Sequence, residues 1–239
     1  MFEIFAISKD IKTAVNYIAE KLNEKGLISI YVGGSILTKE RTKDSDINLF
    51  GIVESDFDMF MEQIINSELE GKTKYPIKFR AIPLCSLEGG EHIGVIKFFH
   101  PERFIQKLPF FKHVYGKKFN FKKDFPLKPM DLKKEALFLM DQIKQSINDI
   151  REEKEEFQIQ DFPKHVMELV RVEAQKEHGF EYDPSYEKLT RHLENEENHI
   201  VHEAYAMRYK KPSRLEWKMF CDKVEQYIID LKRRVDEWD

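Results

Sequence analysis

Hydrophobic residues near the start of the chain recur at helical spacing. They follow a 3-4 repeat: Ile11, Ala14, Val15, Ile18, Ala19 and Leu22. Gly26 stands where a helix commonly ends, because glycine readily takes the left-handed conformation found at helix C-termini. The pattern predicts an amphipathic helix over residues 8–25 with one buried face.

Short apolar and β-branched runs come after this helix. The first, LISIYV, ends at a Gly-Gly pair, and its continuous apolar character is typical of a strand covered on both faces. Three further runs have the length and composition of strands. The predicted strands are 27–32, 46–53, 76–84 and 93–99.

Two helices are predicted among these strands. Ser55 and Asp58 have the spacing of a capping box, which predicts a helix over 56–68. Pro101 favours the first turn of a short helix at about 101–108. The first half of the chain is therefore of mixed α and β character.

Beyond Pro129 only helical periodicity remains. Residues 132–150 hold a 3-4 apolar repeat, and Ser213 with Glu216 forms a second capping-box pattern before the last helix. Shorter helices are predicted at 162–177, 185–195 and 198–208. The fold class is accordingly α+β, a mixed sheet with flanking helices followed by an all-helical bundle. We place the domains at 1–127 and 128–239, with the substrate cleft expected between them.

The composition is that of a folded globule. Of 239 residues, 41% are hydrophobic and 34% charged, which excludes a disordered chain. The net charge of -4 means that the chain as a whole lacks the charge of a protein that coats nucleic acid. Cys85 and Cys221 match no metal spacing, and every apolar run falls short of the roughly 20 residues that span a bilayer. We expect a cytoplasmic protein with no membrane partner.

The candidate chemistry lies between the first two predicted strands. Gly33 and Gly34 allow a close approach of the backbone to an anion, and Ser35 adds a hydroxyl donor. After ten intervening residues come Asp46 and Asn48, which are two apart and therefore project from one face of a strand. The pattern predicts a phosphate site that faces a metal site.

These residues resemble the signature of the nucleotidyltransferase superfamily of the DNA polymerase beta type: an apolar residue, Gly-Gly or Gly-Ser, a spacer, then Asp-apolar-Asp-apolar. Here VGGS is followed by SDINL, and HVYGKK at 113–118 is similar to two-domain members of the aminoglycoside type. The resemblance implies a nucleoside triphosphate on Gly33, Gly34 and Ser35. It also implies Mg²⁺ on Asp46 and Asn48, the catalytic positions, with nucleotidyl transfer to an unidentified hydroxyl acceptor.

The sequence departs from that signature at two positions. The second carboxylate is replaced by Asn48, whose amide offers an oxygen without charge. The third is expected on the strand at 76–84, where Lys78 and Arg80 occupy the period-2 positions. Three acids remain as alternatives: Asp44 in a shifted register with Asp46, and Glu88 or Glu91 from the loop after the third strand.

These departures leave two interpretations open. In the first, the protein is an active nucleotidyltransferase with weak magnesium binding. In the second, it is a catalytically degenerate fold that binds nucleotide, RNA or a partner, with Lys78 and Arg80 as phosphate partners in place of the metal ions.

A lysine-rich segment at 107–128 bears on the second interpretation. Its seven lysines and His113 alternate with six aromatic residues: Phe110, Phe111, Tyr115, Phe119, Phe121 and Phe125. It is either a linker with buried phenylalanines and solvated lysines, or a groove for nucleotide or RNA.

The helical half offers two weaker motifs. His199 and His202 are three apart on a predicted helix, but no third ligand stands near them for a metal site. Arg171 and His178 have a spacing similar to that in HEPN-type helical ribonucleases, although Val172 takes the place of a usual polar residue. A HEPN-type toxin-antitoxin component is thus a third, less favoured hypothesis, and it requires these two side chains to meet in a groove.

Overall fold

The protein forms two compact units, Met1–Pro129 and Met130–Asp239. The structure is a computed structural model, and it describes residues 2–38, 40–42, 45–89, 106–125, 129–152 and 161–239, with side chains from residue 7 onward. The domain boundary predicted at 127 concerns independent folding and stays a prediction.

Helices and strands alternate in the first unit. The elements are α1 (Phe2–Leu22), β1 (Leu27–Gly33), α2 (Ser35–Thr38), β2 (Ile47–Val53), α3 (Phe60–Leu69), β3 (Ile77–Pro83), α4 (Leu84–Leu87), β4 (Lys112–Gly116) and α5 (Phe121–Asp124). A 3-10 turn at Leu108–Phe110 precedes β4. The four strands form one sheet in the order β3-β2-β1-β4, in which β2 and β3 are parallel and the other pairs antiparallel. The predicted mixed sheet is confirmed.

Alternate residues of the central strands enter two different cores. On one face, residues such as Ile30, Leu49 and Phe79 pack with α1 and α3. On the other face, Tyr31 and Phe50 join Phe121 of α5 and its neighbours Phe119 and Phe125. Both faces of the sheet are therefore covered, as the apolar runs predicted.

Two elements differ from the prediction. The helix α3 begins at Phe60, because Asp58 Oδ1 accepts from the Phe60 amide at 2.9 Å while Ser55 Oγ instead accepts from the Cys85 amide at 3.1 Å. The capping box predicted at Ser55 is wrong for that reason. The strand β4 falls inside the segment interpreted as a linker, whereas residues 93–99 lie outside the described residues.

Side chains of α3 cover the open edge of β3. Asn66 accepts from the Phe79 amide at 2.7 Å and donates to the Phe79 carbonyl at 2.9 Å. One carboxylate oxygen of Glu62 accepts from the Ala81 amide at 2.8 Å, and the other lies 2.9 Å from Arg80 Nη1. An edge strand with satisfied backbone groups cannot pair with another chain there, so these contacts protect the sheet from aggregation.

The second unit is helical throughout its described residues. It consists of α6 (Leu132–Arg151), α7 (Phe162–Glu177), α8 (Tyr186–His192), α9 (Ile200–Tyr209) and α10 (Arg214–Asp236) around a single apolar core. The predicted capping box at Ser213 and Glu216 is confirmed by both of its hydrogen bonds. In the described parts of the chain, no helix has the length and apolarity to cross a membrane.

The edge contacts of Asn66 generate a stability prediction. Asn66→Ala leaves the buried Phe79 amide and carbonyl without partners, and we expect the free energy of unfolding to fall by about 2 kcal/mol. Urea unfolding followed by circular dichroism measures the loss, and hydrogen exchange of the Phe79 amide reports it locally. The control is Gln63→Ala on the exposed face of the same helix, where a change within about 0.5 kcal/mol is expected. Equal losses in both variants would show that the edge contacts contribute nothing specific.

Candidate functional site

The Gly-Ser turn lies where β1 meets the short helix α2. Gly34 has a φ of +85°, a conformation that side chains other than glycine rarely adopt. Its carbonyl accepts from the Leu37 amide at 3.0 Å, and Ser35 is the first residue of α2. Gly34 is exposed and Ser35 half-buried, so the turn is open to a ligand.

Gly33 serves a different purpose from Gly34. A Cβ on Gly33 would lie 2.7 Å from the Phe111 ring and 2.8 Å from the Phe50 ring. These two rings stack with centroids 4.6 Å apart. The first glycine of the pair is thus explained by the packing of aromatic side chains, and of the two glycines only Gly34 is exposed to solvent.

Asn48 lies directly against the turn. It pairs with Gly33 across β1 and β2, and a Cβ on Gly34 would be 3.2 Å from its Nδ2 atom. Its neighbours Ile47 and Leu49 are fully buried in the core on the opposite face. The two-residue alternation predicted for this strand is what brings the amide to the glycine turn.

Lys78 completes a row across the end of the sheet. It is the register partner of Asn48 on β3, and its Nζ lies 2.5 Å from Asp46 Oδ2. The Lys78 side chain is half exposed, so the pair is in contact with solvent. Gly34, Asn48, Asp46 and Lys78 therefore form one continuous polar surface.

The described residues of this surface do not fit a two-ion magnesium centre. Such a centre needs several charged oxygen ligands. Of Gly34, Asn48, Asp46 and Lys78, only Asp46 carries a carboxylate, which the Lys78 ammonium group already neutralises, and Asn48 contributes a neutral oxygen. The Lys78 ammonium group contacts Asp46, one of the two residues on which the resemblance implied Mg²⁺.

The other predicted site residues lie elsewhere or are not described. Arg80 pairs with Glu62 of α3, its Nη1 lying 2.9 Å from Glu62 Oε1, whereas it is Lys78 that contacts Asp46. Glu88 is exposed at the end of α4. Asp44 and Glu91 lie outside the described residues.

Arg171 is a buried structural residue. Only 2% of it is exposed, its Nη1 lies 2.7 Å from Glu168 Oε2, and its guanidinium packs over the rings of Tyr182 and Tyr186. A buried, paired arginine cannot reach an RNA phosphate. The groove required by the HEPN-type hypothesis is not formed with His178.

His199 uses both ring nitrogens in contacts within the helical unit. Nδ1 accepts from the Val201 amide at 3.1 Å and so caps α9, while Nε2 lies 3.1 Å from Glu173 Oε2. The cap requires Nδ1 to be unprotonated, which places the proton on Nε2. His199 is therefore a capping residue and not a free metal ligand.

Glu173 is the centre of a buried polar cluster that sequence reasoning missed. Its carboxylate accepts from Tyr227 Oη at 2.6 Å, from Arg234 Nη2 at 2.6 Å and from His199. Burial alone would raise the pKa of Glu173, but the hydrogen bonds from His199 and Tyr227 and the Arg234 contact lower it to about 2. The contributing residues are scattered over two helices and the cap of a third, so no local spacing signals the cluster.

Comparison with known proteins supports the same architecture. The mixed sheet with its flanking helices, followed by a helical region, is the nucleotidyltransferase fold, and the predicted fold class is confirmed. A solved structure that shares it is the spectinomycin adenyltransferase AAD(9) from Enterococcus faecialis, determined with ATP and spectinomycin. The match has a TM-score of 0.58 at 12% identity and covers 91% of this chain and 99% of that chain. At this identity the likeness concerns the fold. No family model and no curated protein matches the chain.

The Glu173 cluster generates a pH prediction. Because the folded pKa of about 2 lies below the ordinary 4.5, the stabilisation is present above about pH 4.5 and is lost as the pH falls toward 2. Between pH 7 and about pH 3.5, loss of this carboxylate's contribution is expected to lower the free energy of unfolding by about 1.5 kcal/mol. Glu173→Gln should therefore lower stability at pH 7 and flatten the pH dependence by that amount.

Tryptophan fluorescence during urea unfolding measures this effect, since Trp217 and Trp238 both belong to the helical unit. The matched control is Glu194→Gln, which removes an exposed carboxylate of the same unit and should leave the pH profile unchanged. If the pH dependence of the free energy of unfolding changed equally in both variants, Glu173 would have no special role.

Proposed function

We propose that the protein binds a nucleoside triphosphate at the Gly34–Ser35 turn without requiring a magnesium centre. The observation that carries the proposal is the contact between Lys78 and Asp46 beside the glycine turn. A lysine at this position attracts phosphate oxygens as a compact point charge. The positive charge that magnesium would supply comes instead from the chain itself.

The triphosphate has a defined set of donors in this arrangement. The left-handed Gly34 leaves the turn open to a close approach, and the Ser35 hydroxyl is beside it. The Asn48 amide donates from the neighbouring strand, and Lys78 exchanges part of its contact with Asp46 for the phosphates. A cytoplasmic location, where such nucleotides are abundant, belongs to this proposal.

Nucleotidyl transfer is a second candidate function. It is favoured by the extent of the structural likeness, which spans nearly the whole of a chain named as an adenyltransferase. It requires that Asp44, Glu88 or Glu91 complete a ligand set with Asp46, and the acceptor hydroxyl remains to be identified. RNA or a protein partner belongs to the non-catalytic alternative.

Calorimetry with each nucleoside triphosphate tests the first proposal. We expect ATP or another triphosphate to bind in EDTA with an affinity within about threefold of that in Mg²⁺. Lys78→Ala should weaken binding about 10-fold or more, the scale of a lost charge-assisted hydrogen bond. Ser35→Ala and Gly34→Val should weaken it as well, because they change the turn and not the core.

The matched control is Lys74→Ala, which removes the same charge from an exposed position just before β3. Unchanged affinity in this variant and a loss in Lys78→Ala support a local phosphate contact. Heat that appears only with Mg²⁺ would favour the catalytic candidate instead. No heat with any triphosphate would refute both.

A metal titration distinguishes the two candidates further. Proton relaxation with Mn²⁺ should detect weak binding or none in the native protein. Asn48→Asp combined with Lys78→Ala should create a tighter site, because two carboxylates then lie on one strand face without a competing cation. Adding Asp46→Ala should abolish it. Tight binding of two ions by the native protein would show that another acid completes the centre.

A further inference from the structure

Five exposed lysines lie on the first unit between the start of β4 and α5. We call this set the lysine strip, and it runs from β4 to α5 over residues 112–123. Its members are Lys112, Lys117, Lys118, Lys122 and Lys123, and all of them are exposed. Lys112 pairs with Val32, two residues before Gly34, whereas Lys117 and Lys118 follow the opposite end of β4, where Gly116 pairs with Ser29. A role for the lysines beyond that end does not require the triphosphate site.

The strip has little compensating charge. In the described parts of the chain, no acidic group pairs with these lysines, and Lys117 only lies over the Phe119 ring, 4.7 Å from its centroid. Asp124, the acid next to the strip, accepts from the Asn120 amide at 2.7 Å. A protein with a net charge of -4 thus carries a locally positive surface, which attracts a polyanion.

The lysines are held on an ordered scaffold. Phe119, Phe121 and Phe125 are nearly fully buried beneath them in the second core of the sheet. The Phe119 amide donates to Tyr31 Oη at 2.8 Å, which anchors the segment to β1. A preorganised backbone reduces the entropy lost on binding, so the strip is better suited to a ligand than five lysines on a flexible tail.

Exposed aromatic rings accompany the charges. Tyr115 is 37% exposed in β4, and Phe110 is 41% exposed two residues before Lys112. Bases of an unpaired strand stack on such rings, and their phosphates contact neighbouring lysines. Tyr115 and Phe110 therefore supply two exposed rings near Lys112 on which bases can stack.

We propose that the lysine strip binds single-stranded nucleic acid. The extent of the strip favours a polymer over a single phosphate group, since five lysines spread over twelve residues exceed what one anion can contact. The strip recognises the phosphates and unstacked bases that single-stranded RNA and DNA have in common. Comparing the affinities for RNA and DNA shows which of the two it prefers.

Fluorescence anisotropy of the full chain with labelled single strands of RNA and of DNA, each about 20 nucleotides long, tests the proposal. Contacts to about four phosphates predict an affinity about 50-fold lower at roughly 200 mM salt than at roughly 50 mM. Lys118→Ala with Lys122→Ala should reduce the slope of log affinity against log salt by about 1.4. The same double variant should bind ATP as the native protein does.

The matched control is Lys210→Ala with Lys211→Ala, which removes two exposed lysines between α9 and α10. It changes the net charge equally but leaves the strip intact, so binding should persist within about twofold. Equal weakening by both double variants would mean that net charge alone governs binding, and the proposal would be overturned.

Tyr115→Leu tests the aromatic part. Loss of stacking should weaken binding about 5-fold or more with the salt slope unchanged, while thermal unfolding verifies that β4 is intact. Heparin and vesicles with anionic lipid are tested as alternative ligands. If heparin of equal charge binds as tightly as RNA and Tyr115→Leu has no effect, or if only vesicles bind, the surface does not recognise nucleic acid.

Discussion

The two-faced burial of β2 is the constraint on which the site depends. Leu49 and Val53 belong to one core, and Phe50 and Ile52 belong to the other. A slip of one residue would exchange the two sets and force each into the wrong cavity, so the register is strongly specified. Asn48 lies in this same strand, and its position against Gly34 is a result of the packing of its neighbours. The polar surface beside Gly34 is therefore a consequence of the alternating burial of the apolar residues of β2.

The same register couples two departures from the nucleotidyltransferase signature. Because β2 and β3 are parallel and Asn48 pairs with Lys78, a lysine there lies within reach of Asp46. A carboxylate at position 48 would be drawn to that lysine, and a metal ion would be repelled by it. An amide at 48 together with a cation at 78 gives a balanced site. Either departure alone would leave an unmatched negative charge, and together they remove the charge that would hold a metal ion.

Sequence reasoning worked where a local pattern reports directly on structure. The strand period placed Asn48 beside the glycine turn, and the capping box at Ser213 began a helix as expected. It failed where a distant partner decides the outcome. Ser55 bonds to Cys85 rather than to its own helix, and Gly33 is explained by Phe111, far along the chain. The Glu173 cluster has no local signal, because its hydrogen bonds join helices that are adjacent only after folding.

The lysine strip illustrates how one segment can combine structural and surface roles. Its phenylalanines close the second core, and its lysines remain in solvent because the intervening backbone is bonded to β1. The sequence left a linker with buried phenylalanines and a binding groove as alternatives. In the structure Phe119, Phe121 and Phe125 are buried and the lysines exposed, while β4 makes part of the segment a strand of the sheet. Removing a buried ring would damage the core, whereas removing a lysine changes only the surface potential. The two roles are thus separable by residue type within the same short segment, which allows the surface to be altered while the sheet beneath it is maintained.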